Sequence, residues 1–144
     1  MTLNARLLAA VLATSGLLAP AVLGQGEPPP ATVEIPANAI ALEGVPTVRV
    51  DSAQGETTRR VLDAVESAKS RLQVRIADGE YYWASRDNRR LRLDASGPFT
   101  YLSSEPGRYI RLTRVNDKVS YVEHVDTPLG SVTWWGELRI VVGK

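Results

Sequence analysis

The sequence predicts an α+β fold in which an antiparallel β-meander of six to seven strands packs against one helix. Apolar residues recur every three or four positions between Thr57 and Leu72, which is the spacing of a helix face. From Leu72 onwards the period changes to two, and turn residues return about every ten positions. An open sheet, a small barrel and a sandwich all satisfy this pattern, so the three architectures stay open.

The composition fits one modest globular domain and excludes several kinds of site. The chain has 144 residues, of which 44% are hydrophobic. It contains no cysteine and one histidine, which excludes a disulfide scaffold, thiol catalysis, cysteine-based zinc sites and histidine clusters. A formal net charge of +1 argues against a polybasic nucleic-acid arm or an acidic tail. We therefore expect no cofactor and no bound metal.

Residues 1–24 have the pattern of a secretory signal peptide. Arg6 precedes an apolar stretch, and small residues stand before a cleavage site that we place after Gly24. An uncleaved membrane anchor is the alternative, because this stretch approaches the roughly 20 residues that span a bilayer. Both interpretations predict an extracytoplasmic protein, periplasmic or secreted, with a membrane contact only if the segment stays uncleaved.

The remaining chain divides into a spacer and a domain. Residues 25–37 contain three successive prolines, which fix φ and remove backbone donors, so they predict a semi-rigid spacer. Residues 38–144 then form the single β-rich domain. Its first strand is predicted at Pro46–Val50.

The predicted helix follows from Thr57 to Leu72. Glu56 and Arg60 have the i,i+4 spacing that supports a helix. The apolar positions of this face are Val61, Leu62, Val65, Ala68 and Leu72.

Short turns organise the rest of the chain into hairpins. Asp-Gly, Pro-Gly and Asn-Asp pairs are typical of tight turns, and connections this short cannot cross over a parallel sheet. The predicted turns are Asp78-Gly79, Asp87-Asn88, Ser96-Gly97-Pro98, Pro106-Gly107, Asn116-Asp117 and Pro128-Leu129-Gly130.

Aromatic residues predict a binding face on the sheet. All nine lie between Tyr81 and Trp135, and alternation directs them to both sides of their strands. A closed or sandwiched sheet, a helix cover or an exposed aromatic strip would each accommodate them. For the exposed strip, we expect Tyr82, Tyr121 and Trp135 to contact a ligand.

Arginines concentrate in the same region and suggest an anionic ligand. Positions 86–114 contain seven arginines and only three acidic residues. The side chains of Arg90 and Arg92 point to the same face of one predicted strand. An extracytoplasmic address argues against nucleic acid, so a protein or an anionic glycan is the expected partner. The predicted function is therefore a non-catalytic, exported or envelope-associated binding module that uses Tyr82, Arg90, Arg92, Tyr121 and Trp135.

Two alternatives remain. His124 is the chain's one histidine and therefore its best candidate for a general base, so a small extracytoplasmic hydrolase would centre on it. A serine or carboxylate within hydrogen-bond reach of its ring, inside a pocket, would favour that alternative. The other is a structural envelope protein that self-associates through an uncovered strand edge.

Overall fold

A closed antiparallel β-barrel forms the body of the protein. The computed structural model describes residues 29–144. The elements are β1 (Ala39–Ala53), β2 (Glu56–Val61), α1 (Ala64–Lys69), β3 (Leu72–Ala77), β4 (Glu80–Trp83), β5 (Arg89–Ser96), β6 (Phe99–Glu105), β7 (Arg108–Val115), β8 (Lys118–Thr127) and β9 (Gly130–Val142).

Eight strands close the barrel and a ninth extends it. Neighbouring strands follow the order β2-β1-β3-β4-β5-β6-β7-β8-β9, and β9 pairs back onto β1. The first part of β1 lies between β3 and β9, whereas its second part lies between β2 and β9. The turns at Asp78-Gly79 and Asn116-Asp117 lie at one end of the barrel, here called the lower end. The Gln54-Gly55 and Pro106-Gly107 turns lie at the upper end.

The predicted α+β class is wrong, and the whole sheet has nine strands rather than six to seven. Among residues 29–144, strands account for 67% and helix for 5%, and the one helix described there, α1, is six residues long. The predicted meander from Leu72 onwards is present as seven antiparallel strands, β3 to β9. The predicted first strand is the middle of β1, which begins seven residues earlier, at Ala39 rather than Pro46.

A hairpin replaces the first half of the predicted helix. Gln54 and Gly55 both have positive φ angles, 52° and 83°, which is the geometry of a two-residue hairpin turn. The turn sets β2 in register with β1, from Ala53 opposite Glu56 to Val48 opposite Val61. Pairing with an existing strand outweighed the weak helical periodicity, because helix propensity is easily overridden by tertiary contacts.

The remaining helix is held by its first turn. The carboxylate of Asp63 accepts hydrogen bonds from the backbone N–H groups of Val65 and Glu66, each at 2.9 Å. Glu66 accepts in return from the Asp63 N–H at 3.3 Å, which completes a capping box. The helix contacts β1 through the Ser67 hydroxyl, which donates to the Pro46 carbonyl at 2.7 Å. None of its residues is buried, so it does not cover the aromatic residues.

The described part of the predicted spacer packs on the lower end of the barrel. The Ala31 and Arg114 backbones exchange two hydrogen bonds, of 3.0 and 2.8 Å. Val33 is buried in the core, where its N–H donates to the Thr100 hydroxyl, and that hydroxyl donates to the Val33 carbonyl. Residues 31–33 therefore cap the barrel. The predicted signal peptide lies outside the described residues.

Inward-facing apolar side chains fill the barrel. The Tyr121 ring occupies space that a side chain on Gly44 would fill, because a Cβ there would lie 2.5 Å from the ring. Gly136 lies directly opposite Tyr121 on β9. The other core residues are Leu42, Leu72, Val74, Trp83, Leu91, Leu102, Ile110, Leu112 and Leu138. Among residues 29–144, no helix has the length and apolar character needed to cross a membrane.

Candidate functional site

The outside of β6 to β9 carries most of the exposed rings. Leu102, Ile110, Glu123 and Trp134 point inward and are buried, so their strand neighbours point outward. The outward residues that matter here are Phe99, Tyr101, Tyr109, Arg111, His124 and Trp135, which we call the outer aromatic surface. Three of the nine aromatic residues, Trp83, Tyr121 and Trp134, are buried; the other six keep some exposure, Trp135 the most among the large hydrophobic side chains of this surface at 37%.

Successive ring contacts join this surface across three strands. Phe99 and Tyr101 meet edge to face at 6.2 Å between centroids, and Tyr101 and Tyr109 meet in the same way at 6.0 Å. Tyr109 then stacks on the His124 ring at 5.1 Å. Such contacts fix the orientation of each ring. The rings therefore form an ordered platform rather than independent side chains.

Two grooves flank the platform. The first, of about 750 Å³, runs over β5, β6 and β7 and is lined by Arg90, Arg92, Tyr101 and Tyr109, so we call it the arginine groove. The second, of about 570 Å³, runs over β7, β8, β9 and β1. It is lined by Arg111, Thr113, Ser120, Val122 and Trp135, and we call it the tryptophan groove.

The local arginine excess is largely neutralised in the structure. Arg89 and Arg108 share the carboxylate of Glu105, at 2.7 and 3.1 Å, and Arg90 pairs with Glu80. Within residues 29–144, Arg92 and Arg111 form no ion pair.

Arg111 has a further feature that matters for binding. Its guanidinium lies 4.6 Å from the centre of the Phe99 ring, and its Nε is buried without a hydrogen-bond partner among the described residues. The Thr113 hydroxyl, on the same groove, is also buried and unpartnered. Each unmade hydrogen bond of this kind costs about 1–3 kcal/mol.

The predicted binding residues do not form one cluster. Tyr82 and Arg90 are direct cross-strand neighbours on the outside of β4 and β5, where Arg75 covers the Tyr82 ring at 4.4 Å. Arg92 lies on the same strand as Arg90 and faces the arginine groove. Trp135 lies on β9, in the tryptophan groove. Tyr121 is also among the residues around the tryptophan groove, but it is only 1% exposed and its ring packs against Gly44, so it offers almost no surface to a ligand.

His124 lies on the outer aromatic surface with both ring nitrogens occupied. Nδ1 is 2.8 Å from the Thr133 hydroxyl, and Nε2 is 3.0 Å from an oxygen of Asp126. A hydroxyl and a carboxylate are thus within reach, as the hydrolase alternative requires. However, His124 is not among the residues that line the two grooves. Thr133 lies in the middle of β9, opposite His124 on β8 and Val50 on β1, so strand pairing occupies its backbone on both sides.

A buried ion pair inside the barrel was missed by sequence reasoning. Glu123 is fully buried, accepts a hydrogen bond from the Trp83 indole N–H at 3.1 Å, and lies 3.0 Å from Nε of Arg86. Arg86 comes from the β4–β5 connection and lies 4.5 Å above the Trp134 ring. Strand alternation could have indicated this burial, because it places Glu123 on the same face as Tyr121, whose side chain is apolar over most of its area.

Burial dominates the proton affinity of this cluster. Removal from water raises the pKa of Glu123 above its ordinary value, although the Arg86 charge and the Trp83 hydrogen bond act in the opposite direction. Burial, together with the nearby Glu123 charge, also raises the pKa of the Tyr121 hydroxyl. Oε2 of Glu123, Oη of Tyr121 and Nε1 of Trp134 have no hydrogen-bond partner within the described chain. The cluster is compact and belongs to the core.

Neither metal coordination nor relatedness adds to this picture. Across residues 29–144, no three His, Cys, Asp or Glu side chains lie close enough together to hold a metal ion. Comparisons of the chain with protein-family models, with curated protein sequences and with solved structures found no match.

Proposed function

We propose that this protein is an exported, non-catalytic binding module that holds an anionic glycan on its outer aromatic surface. The observation that carries the proposal is the ring platform of Phe99, Tyr101, Tyr109 and His124 between two grooves. Each groove contains one arginine without an ion pair, Arg92 or Arg111. The predicted signal peptide, and the extracytoplasmic location that it implies, are compatible with a glycan partner.

The chemistry of the surface suits an acidic sugar. Aromatic faces pack against the apolar faces of sugar rings and lose little conformational entropy on binding. Guanidinium groups bind carboxylate and sulfate groups through paired N–H donors. The Ser120 hydroxyl in the tryptophan groove can exchange hydrogen bonds with sugar hydroxyls. Trp135 and Arg111 both line this groove, two strands apart with Val122 between them, so an oligosaccharide lying along the groove can contact both.

Calorimetric titration with three oligosaccharides tests the proposal. We expect binding of oligogalacturonate, which carries carboxylates, or of a heparin oligosaccharide, which carries sulfates, and no binding of neutral cello-oligosaccharide. Trp135→Ala and Arg111→Gln should each weaken binding about tenfold, because each removes a contact of about 1.4 kcal/mol or more. Two controls lie away from both grooves: Leu129→Ala removes another exposed apolar side chain, and Arg139→Gln removes another exposed arginine. Both should leave binding unchanged. Binding of none of the three sugars, or equal affinity in all four variants, would refute the proposal.

The hydrolase alternative has less support from the geometry. The His124 ring has the partners of a catalytic histidine, but the hydroxyl it contacts belongs to Thr133, in the middle of a strand paired on both sides. Backbone N–H groups used in strand pairing cannot stabilise a developing oxyanion. His124 therefore serves better as the last ring of the platform.

A further inference from the structure

The outer edge of β2 is an unpaired strand edge at the upper end of the barrel. Within residues 29–144, every other strand pairs on both sides, whereas β2 pairs with β1 alone. All six residues from Glu56 to Val61 are exposed, including Val61 at 70%. An edge of this kind offers free backbone donors and acceptors to another strand.

The hairpin determines which backbone groups are free. In a two-residue hairpin the closing pair, here Ala53 and Glu56, exchanges hydrogen bonds, and alternate pairs follow the same rule. The Leu62 N–H donating to the Thr47 carbonyl at 2.9 Å continues that series. The N–H and C=O groups of Thr57, Arg59 and Val61 therefore point away from β1, towards solvent.

We propose that β2 is a homodimer interface at which the β2 strands of two copies pair antiparallel about a two-fold axis at Thr58. In this register Thr57 of one copy exchanges backbone hydrogen bonds with Arg59 of the other, twice over by symmetry. Glu56 of each copy stands directly opposite Arg60 of the other, on the same face of the joined sheet. Two reciprocal ion pairs result, and the two Thr58 side chains meet at the axis.

Charge selects this register among the symmetric ones. Moving the axis by one residue to Arg59 would place two arginines opposite each other, which is unfavourable in a strand pair. Moving it to Thr57 would leave Glu56 opposite Thr58 and bring fewer residues into contact. In the chosen register each Glu56 gains an opposite charge, and Arg60 keeps its own contact with Glu66 at 3.1 Å.

The dimer would present two copies of the proposed binding surface. A two-fold axis perpendicular to the joined sheet keeps the outer faces of both β1–β2 hairpins on the same side. The interface uses neither groove, so self-association does not depend on the proposed glycan binding. A repeating polysaccharide would then meet two sites at once, which increases avidity.

Sedimentation velocity over a range of protein concentrations tests the interface. We expect a monomer–dimer equilibrium for the unmodified protein. Glu56→Arg turns both ion pairs into repulsions and should raise the dimer dissociation constant at least about tenfold. Glu34→Arg makes the same change of charge at the lower end of the barrel and should leave the constant unchanged. Arg60→Glu added to Glu56→Arg restores both pairs and should recover most of the lost affinity.

A backbone variant separates edge pairing from charge. Arg59→Pro removes an outward N–H without removing a β1–β2 hydrogen bond, so it should abolish the dimer while urea unfolding shows a folded barrel. A protein that stays monomeric up to about 1 mM overturns the proposal. So does a dimer whose dissociation constant in Glu56→Arg and in Arg59→Pro equals that of the unmodified protein, because that dimer uses another surface.

Discussion

Replacing Arg86 by alanine should destabilise the barrel by about 3.5–4 kcal/mol near neutral pH. The substitution removes the positive charge 3.0 Å from the buried Glu123 carboxylate and leaves the Trp83 N–H as its remaining partner. Breaking a buried pair costs about 3–5 kcal/mol. We take the lower part of this range because the Arg86 side chain is 31% exposed and water can reach its outer part. The lost contact with Trp134 adds about 0.5–1 kcal/mol.

The loss should depend on pH in a defined direction. Burial raises the pKa of Glu123 above its ordinary value of 4.5, so the folded protein holds this proton at a pH where the unfolded chain has released it. The contribution of Glu123 to the free energy of unfolding is therefore largest below pH 4.5, and it declines as the pH rises through the raised pKa. Without Arg86, which lowers the pKa, the decline should extend to higher pH and become larger. Glu123→Gln should abolish it.

Urea unfolding followed by tryptophan fluorescence measures both effects. Free energies of unfolding at about pH 5 and about pH 7 should differ more in Arg86→Ala than in the unmodified protein. Arg89→Ala is the matched control: this arginine lies three residues further along, and its ion pair with Glu105 is exposed, so its loss should cost less than about 1 kcal/mol. A loss below about 1 kcal/mol for Arg86→Ala near pH 7, or a loss that does not vary with pH, would refute the assignment of a charged buried pair.

Two further substitutions test how the core is packed and capped. Gly44→Ala should lower the free energy of unfolding by about 2 kcal/mol, because the new methyl group would lie 2.5 Å from the Tyr121 ring; an unchanged urea midpoint would contradict this packing. Thr100→Val removes both hydrogen bonds to Val33, so limited proteolysis should cleave residues 29–37 faster while β1 to β9 stay intact, and mass spectrometry would identify the cut. An unchanged cleavage rate would mean that these bonds do not hold the segment.

Local signals were enough to predict the meander. Asp78 and Gly79 have φ angles of 53° and 75°, and Gly107 has 77°, so the Asp-Gly and Pro-Gly turns occur where their chemistry places them. The period-two alternation also separated Glu123 from His124 correctly, one inside the barrel and one outside. These features depend on a few neighbouring residues, which is why a single sequence contains them.

Long-range pairing was harder to predict. Thr57 to Val61 read as the start of a helix, and only the presence of β1 makes them a strand. The candidate surface showed the same limit: Trp135 was identified, but Arg111, which lines the same groove, is 24 residues away in sequence and two strands away, with Val122 on β8 between them. No local pattern specifies which strands curve round to meet. Tyr121 was assigned to the surface because the closure of the sheet was unknown.

Closure of the barrel also has a kinetic consequence. The seam between β1 and β9 joins residues far apart in sequence, such as Glu43 and Arg139, which are 96 positions apart. The hairpins from β3 to β9 need only short loops, whereas the seam requires nearly the whole chain to be ordered first. That ordering costs conformational entropy before the contacts of the seam can compensate for it. Folding should therefore end with a slow closing step. Until that step, an open curved sheet exposes the edges of β1 and β9, and crowded chains can join to each other there before each barrel has closed.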